Sequence, residues 1–97
     1  MAVYVDNFNA KFQGMIMCHV IADSQLELLE FMDKIGVQRK WIQYVDTYNE
    51  HFDISLSKKK IALSKGAIEI NFRDYANMVN ERKDTGKMTN PHKTLFD

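Results

Sequence analysis

Residues 15–21 read Met-Ile-Met-Cys-His-Val-Ile, an unbroken apolar run in which His19 alone titrates near neutral pH. A strand with one wet face alternates apolar and polar residues, so a continuous run entered through Gly14 reads as a central strand covered on both faces. That requirement constrains everything else, because the rest of the chain must supply neighbouring strands and a layer above and below. Met15, Met17, His19 and Ile21 share one face of the strand, and Cys18 faces away from His19. A Cys-His nucleophile pair within the strand is thereby excluded, and Cys18 reads as a buried, inert thiol.

The covering layers announce themselves as capped helices. Ser24 with Glu27 forms a capping box, Leu28, Phe31, Met32 and Ile35 follow at helical spacing, and Gly36 stops the helix. Asn71 with Asp74 opens a last helix with Phe72, Tyr75, Ala76 and Val79 on one stripe. Between them a helix starts near Ser55 or Ser57 and ends at Gly66, burying Ile61 and Ala62 with help from Leu56 or Leu63. Residues 2–5 alternate as a first strand, 41–45 read as a third and 67–70 as a fourth, with 46–50 a polar loop. The order predicts a small single-domain α/β sandwich over residues 1–80, about four strands in a mixed sheet with three helices. Residues 81–97 are polar, carry Gly86, Asn90 and Pro91 without periodicity, and read as a mobile C-terminal tail.

Thirteen basic and thirteen acidic side chains cancel, which argues against wholesale coating of nucleic acid and leaves local patches. The single cysteine excludes an internal disulfide and suits a reduced compartment. No signal peptide and no apolar span of about eighteen residues is visible, so the expectation is a cytoplasmic protein without a membrane partner. A chain this small buries only about 60 to 65% of its unfolded surface, which favours a homo-oligomer whose neighbouring copy completes a shallow site.

Polar chemistry gathers in residues 51–60, His-Phe-Asp-Ile-Ser-Leu-Ser-Lys-Lys-Lys. Lysines in the first turn of a helix oppose its macrodipole by roughly 0.3 to 1 kcal/mol each. Since helix N-termini present free amide hydrogens to anions, Ser57 and Lys58 form a candidate phosphate contact; the plainer reading is a solvated helix face. His51 and Asp53, two apart in an extended run, project from one face beside it. Asp6 ends the first strand and Asp23 ends the strand of His19. If these strands are neighbours, five ionisable groups, His19, Asp23, His51, Asp53 and Asp6, converge, and His19, His51, Asp53 and Asp6 are candidate ligands of a divalent metal or acid and base groups. The plain alternative for His19 is a core histidine with a hydrogen-bond partner. Tyr4 and Asp23 complete the candidate ligand contacts; Tyr4, Trp41 and Tyr44 can stack on a base, although aromatics on strands are usually core. In the tail, Leu95 and Phe96 are similar to the Leu-Phe peptides that dock on bacterial sliding clamps, with His92 in place of glutamine. The alternative there is that the pair folds back onto the domain.

Val3-Tyr4-Val5-Asp6, Met17-Cys18-His19 with Ala22-Asp23, Ile35-Gly36-Val37 with Arg39 and Trp41, and His51-Phe52-Asp53-Ile54 with Ser57-Lys58 and Gly66-Ala67 follow in one order. As a set they resemble the bacterial and phage family called domain of unknown function 4031, over about residues 2–70. The loop after the first strand departs from it: members usually carry a basic residue or proline where this chain has Asn9-Ala10-Lys11-Phe12. The resemblance implies a fold-sized unit and a set of polar positions, with no reaction attached.

Two functions follow from the residues. The first is a phosphate- or nucleotide-binding module, its ligand a phosphorylated small molecule or nucleic-acid end held at Ser57 and Lys58 beside the His/Asp cluster. The second is a metal-dependent phosphoester hydrolase, a nuclease or nucleotidase, using His19, His51, Asp53 and Asp6 with a divalent metal, and Lys58 stabilising developing charge. Neither a Gly-rich phosphate loop nor a G-x-S-x-G elbow occurs. The sequence favours binding, because catalysis asks for a fuller metal or nucleophile signature.

Overall fold

The structure, a computed structural model, describes residues 2–8, 10–12 and 14–85. The elements are β1 (Val3–Val5), β2 (Ala10–Phe12), β3 (Met15–Ala22), α1 (Gln25–Ile35), a 3-10 turn (Arg39–Trp41), β4 (Phe52–Ser55), α2 (Leu56–Ser64), β5 (Ile68–Glu69) and α3 (Phe72–Thr85). The apolar run is the hub. One edge of β3 pairs antiparallel with β1 at its C-terminal end (Val5↔Val20) and with β2 at its N-terminal end (Ala10↔Met17), so β1 and β2 share a lane. The other edge pairs antiparallel with β4, and β5 runs parallel to β1 outside it. Five strands thus fill four lanes of a mixed sheet, and with three helices they make the small α/β domain that the element order predicts.

The sheet's two faces are covered unequally. Cys18, Val20 and Ala22 on one face meet Leu28, Phe31, Met32 and Ile35 of α1 and Ala62 of α2 in a dry layer, each large side chain there contributing about 1.5 to 3 kcal/mol. The α1 caps form as expected: Ser24 Oγ accepts from Glu27 N at 3.2 Å, and Gly36 takes the left-handed conformation at φ 79°. On the other face Tyr4 and Ile21 meet Ile70, Tyr75 and Met78, and Asn71 Oδ1 caps α3 by accepting from Asp74 N at 2.7 Å. This second layer stops short: Met15, at the far end of the same face, is 49% exposed.

Several local expectations are corrected. Residues 41–45 are no strand but the end of the 3-10 turn followed by irregular chain, with one isolated bridge, Gln43↔His51. Tyr44 and Asp46 have φ of 52° and 63°, which no strand accommodates, and Trp41, Tyr44 and Val45 are exposed. Helix α2 is capped by Ser55, whose Oγ accepts from Lys58 N, and not by Ser57; it buries Ala62 while Ile61 stays exposed. The polar stretch from Glu81 is helical as far as Thr85, where α3 ends; Leu95 and Phe96 lie outside the described residues. No helix among the described residues is long and apolar enough to cross a membrane.

Candidate metal centre

The cluster begins where β1 leaves the ladder. Asp6 N still donates to His19 O at 3.0 Å, but the chain then turns away, and the Asp6 side chain takes over. Its Oδ1 accepts from His19 N at 2.8 Å and from Phe8 N at 3.3 Å, while Oδ2 meets His19 Nδ1 at 2.7 Å. A fully buried carboxylate is tolerable because these donors replace its water. Across the other edge, the β3–β4 register sets Asp53 directly opposite His19. His51 precedes it by two residues and so shares its face.

Both imidazoles are held by their Nδ1. His51 Nδ1 donates to the Asn49 carbonyl at 2.6 Å, since a carbonyl can only accept. His19 Nδ1 is directed onto the Asp6 carboxylate. Each ring therefore turns Nε2 inward. His51 Nε2 lies 3.5 Å and His19 Nε2 3.9 Å from Asp53 Oδ1. That oxygen is buried and has no hydrogen-bond donor, whereas Asp53 Oδ2 accepts from Gln43 Nε2 at 2.6 Å. Ligand atoms from His19, His51 and Asp53 all lie within 4.8 Å of one another. A tetrahedral ion held at ~2.1 Å sets its ligands ~3.4 Å apart, so modest tightening closes the triangle.

With both Nδ1 atoms protonated, three lone pairs face a common point, and only a cation or a proton relieves them. Burial works against a protonated His19, but the hydrogen bond and charge of Asp6, with the charge of Asp53, outweigh it and raise its pKa above the ordinary histidine value. Tyr75 of α3 stacks on the His19 ring at 4.5 Å and its hydroxyl sits 3.4 Å from Asn49 Oδ1. Burial, with the charges of Asp6 and Asp53, pushes the Tyr75 hydroxyl well above the usual tyrosine pKa, so it stays protonated. The loop that supplies the Asn49 carbonyl is tied to α1: Gln25 Nε2 donates to Asp46 Oδ1 and Glu50 Oε1, and Glu50 Oε1 also accepts from Asp46 N.

Four of the residues singled out in sequence, Asp6, His19, His51 and Asp53, are brought together. Four others lie elsewhere. Tyr4 is core, and its hydroxyl donates to Asp23 Oδ1 at 3.2 Å while Ala2 N donates to Asp23 Oδ2 at 2.8 Å. Lys58 Nζ binds the Ile35 carbonyl at 2.8 Å, placing its charge at the C-terminus of α1 on the opposite face of the sheet, where a cation complements the helix dipole. Ser57 Oγ lies 3.0 Å from Ser55 Oγ. The lysine that turns inward is Lys59, which pairs with Glu69 at 2.6 Å. Sequence reasoning missed Gln43, Asn49 and Tyr75 as parts of the site. Tyr75 was visible as a helix-face aromatic; nothing local marks a backbone carbonyl or a lone glutamine.

Together these features define a small α/β protein with a two-histidine, one-carboxylate cluster set into one face of its sheet. The chain belongs to the family described as Protein of unknown function (DUF4031), whose model matches residues 3–82 and so takes in every member of the cluster. Comparison with curated proteins and with solved structures finds no match.

Proposed function

We propose that this chain is a metal-dependent phosphoester hydrolase whose divalent ion is held by His19 Nε2, His51 Nε2 and Asp53 Oδ1. The observation that carries the reading is that ligand atoms of two histidines and one carboxylate lie within 4.8 Å of one another, with a buried Asp53 Oδ1 that no donor satisfies. Two imidazoles and one carboxylate suit zinc and its first-row neighbours, and three protein ligands leave open positions for water and substrate. Such an ion supplies a polarising charge and a water acidified to a pKa of about 7. Asp6 and the Asn49 carbonyl fix ring orientation and tautomer through Nδ1, and Gln43 holds the far oxygen of Asp53. In the reaction, water adds to phosphorus, the P–O bond to the alcohol breaks, and a proton of the water ends on the leaving oxygen.

The phosphate module at the N-terminus of α2 is not favoured, because Lys58 is engaged at the end of α1. Protein dialysed against Zn²⁺ or Mn²⁺ and weighed by native mass spectrometry is expected to carry one ion per chain and to hydrolyse p-nitrophenyl phosphate or bis(p-nitrophenyl) phosphate only when loaded. His51→Ala and Asp53→Asn should lose both ion and activity. An ion retained in both variants, or a loaded wild type without hydrolysis, overturns the proposal.

A further inference from the structure

Resting on that reading, we infer that the substrate is a nucleotide, its base lying on Trp41, Met15 and Met17 and its phosphate reaching the ion between Lys11 and Lys40. His19 and Asp53 line the inner end of a cleft of about 930 Å³, whose other walls include these five residues. The floor is the stretch of β3 that α3 leaves bare, since Met15 and Met17 share the face of His19. Such a volume lies within the ~300 to 1,000 Å³ of small-molecule sites and far exceeds what phosphate alone requires.

The lining chemistry specifies the occupant. Two thioethers and an indole that is 60% exposed line the cleft and supply polarisable apolar groups, suited to an aromatic ring rather than a sugar. Lys11 and Lys40 make no ion pair among the described residues, and Lys40 Nζ sits 5.1 Å from the centroid of the Trp41 ring. Positive charge therefore stands over the indole itself. Trp41 precedes Gln43, the residue hydrogen-bonded to Asp53, by only two positions, and both line the same cleft as His19 and Asp53. The indole and the cluster therefore open onto one cavity that a single nucleotide can occupy. The net charge of zero fits a single nucleotide unit better than a long nucleic acid.

Trp41 is the only tryptophan, so its emission reports on the cleft directly. Zinc-loaded protein, its ion content weighed beforehand, is titrated by calorimetry and fluorescence with the phosphonate analogue of AMP, in which a P–C bond replaces the ester. The phosphonate analogue of ribose 5-phosphate is the control. The nucleotide analogue is expected to quench Trp41 and to bind about 5- to 150-fold tighter than the control, the range that base stacking on an aromatic ring carries. Trp41→Leu should remove that difference and keep the ion. Equal affinities for the two analogues, or a preference that survives in Trp41→Leu, overturn the inference while leaving the metal centre intact. A wild type that takes up no ion overturns the reading beneath it. Competition by a 5′-phosphorylated tetranucleotide separates the two sources of the same chemistry: tighter binding than the monomer assigns the end of a strand, weaker binding the free nucleotide.

Discussion

Asp23 and Asp53 look alike in the sequence, each an acidic residue near the junction of a strand with the helix that follows, and the fold treats them in opposite ways. Both oxygens of Asp23 receive donors from the fold, the amide of Ala2 and the hydroxyl of Tyr4. Asp53 has one oxygen satisfied by Gln43 and the other buried beside two imidazole nitrogens without a hydrogen-bond partner. A carboxylate whose needs are met within the fold is a structural tie. One held beside further acceptors keeps an electrostatic deficit that a cation fills.

Asp53→Asn should break the contrast most severely. It keeps the shape and removes the charge, and the loss in metal affinity is expected to exceed the ~10- to 100-fold typical of residues that only support a ligand. At a metal concentration 100 times the wild-type dissociation constant, the ion should raise the wild-type melting temperature by on the order of 10 °C, and that of the variant by only a few degrees. Thermal scans with and without zinc measure this; equal shifts would remove Asp53 from the ligand set.

Asp6→Asn sharpens the comparison at the next level. The amide can donate to His19 Nδ1 and so move the ring proton to Nε2, which blocks the ligand atom, and a loss of ~10- to 100-fold in metal affinity follows. In the metal-free variant His19 should also titrate closer to the ordinary histidine value, because the hydrogen bond and charge that raise it are gone. The sign is fixed by linkage: in the wild type the His19–Asp6 interaction stabilises the metal-free fold fully below the unfolded histidine pKa and fades as pH rises through the raised folded value. Histidine resonances followed against pH in both proteins read this, and an unmoved His19 titration would contradict the assigned contact.

Asp23→Asn is expected to have the smallest effect on the metal and a visible one on the fold. The loss of charge-assisted hydrogen bonds to Ala2 and Tyr4 should cost about 1 to 3 kcal/mol of stability, with metal affinity within about twofold of wild type. A large change in affinity would mean that the Tyr4–Asp23 tie and the cluster are coupled through β3.

Much of this molecule was legible before any coordinates. The apolar run located the central strand, although both of its faces are covered only toward its C-terminal end, the capping pairs at Ser24 and Asn71 located α1 and α3, and the period of two put His19 on the face away from Cys18. Those features obey rules of short range, in which a side chain's direction follows from its neighbours in sequence. The strand expected at 41–45 failed because a short run rich in aromatic and β-branched residues forms a strand only where a partner pairs with it, and here a single bridge forms while Trp41 and Tyr44 stay in solvent. Which of the three adjacent lysines turns inward was equally illegible: they are equivalent in sequence, and only the positions of Glu69 and the Ile35 carbonyl distinguish them.

By itself, then, the sequence determined the layers, the face of the β3 residues and a set of ionisable groups that held the four of the cluster together with Asp23 and Lys58, which lie outside it. Tertiary structure alone decided that Asp6 replaces a ladder contact, that Asp53 pairs across from His19, and that Asn49 and Gln43 complete the cluster. The reason is physical: a lone pair's direction depends on strand register and on which distant donor or carbonyl occupies the ring's other nitrogen, and neither is encoded in the spacing of residues along one segment.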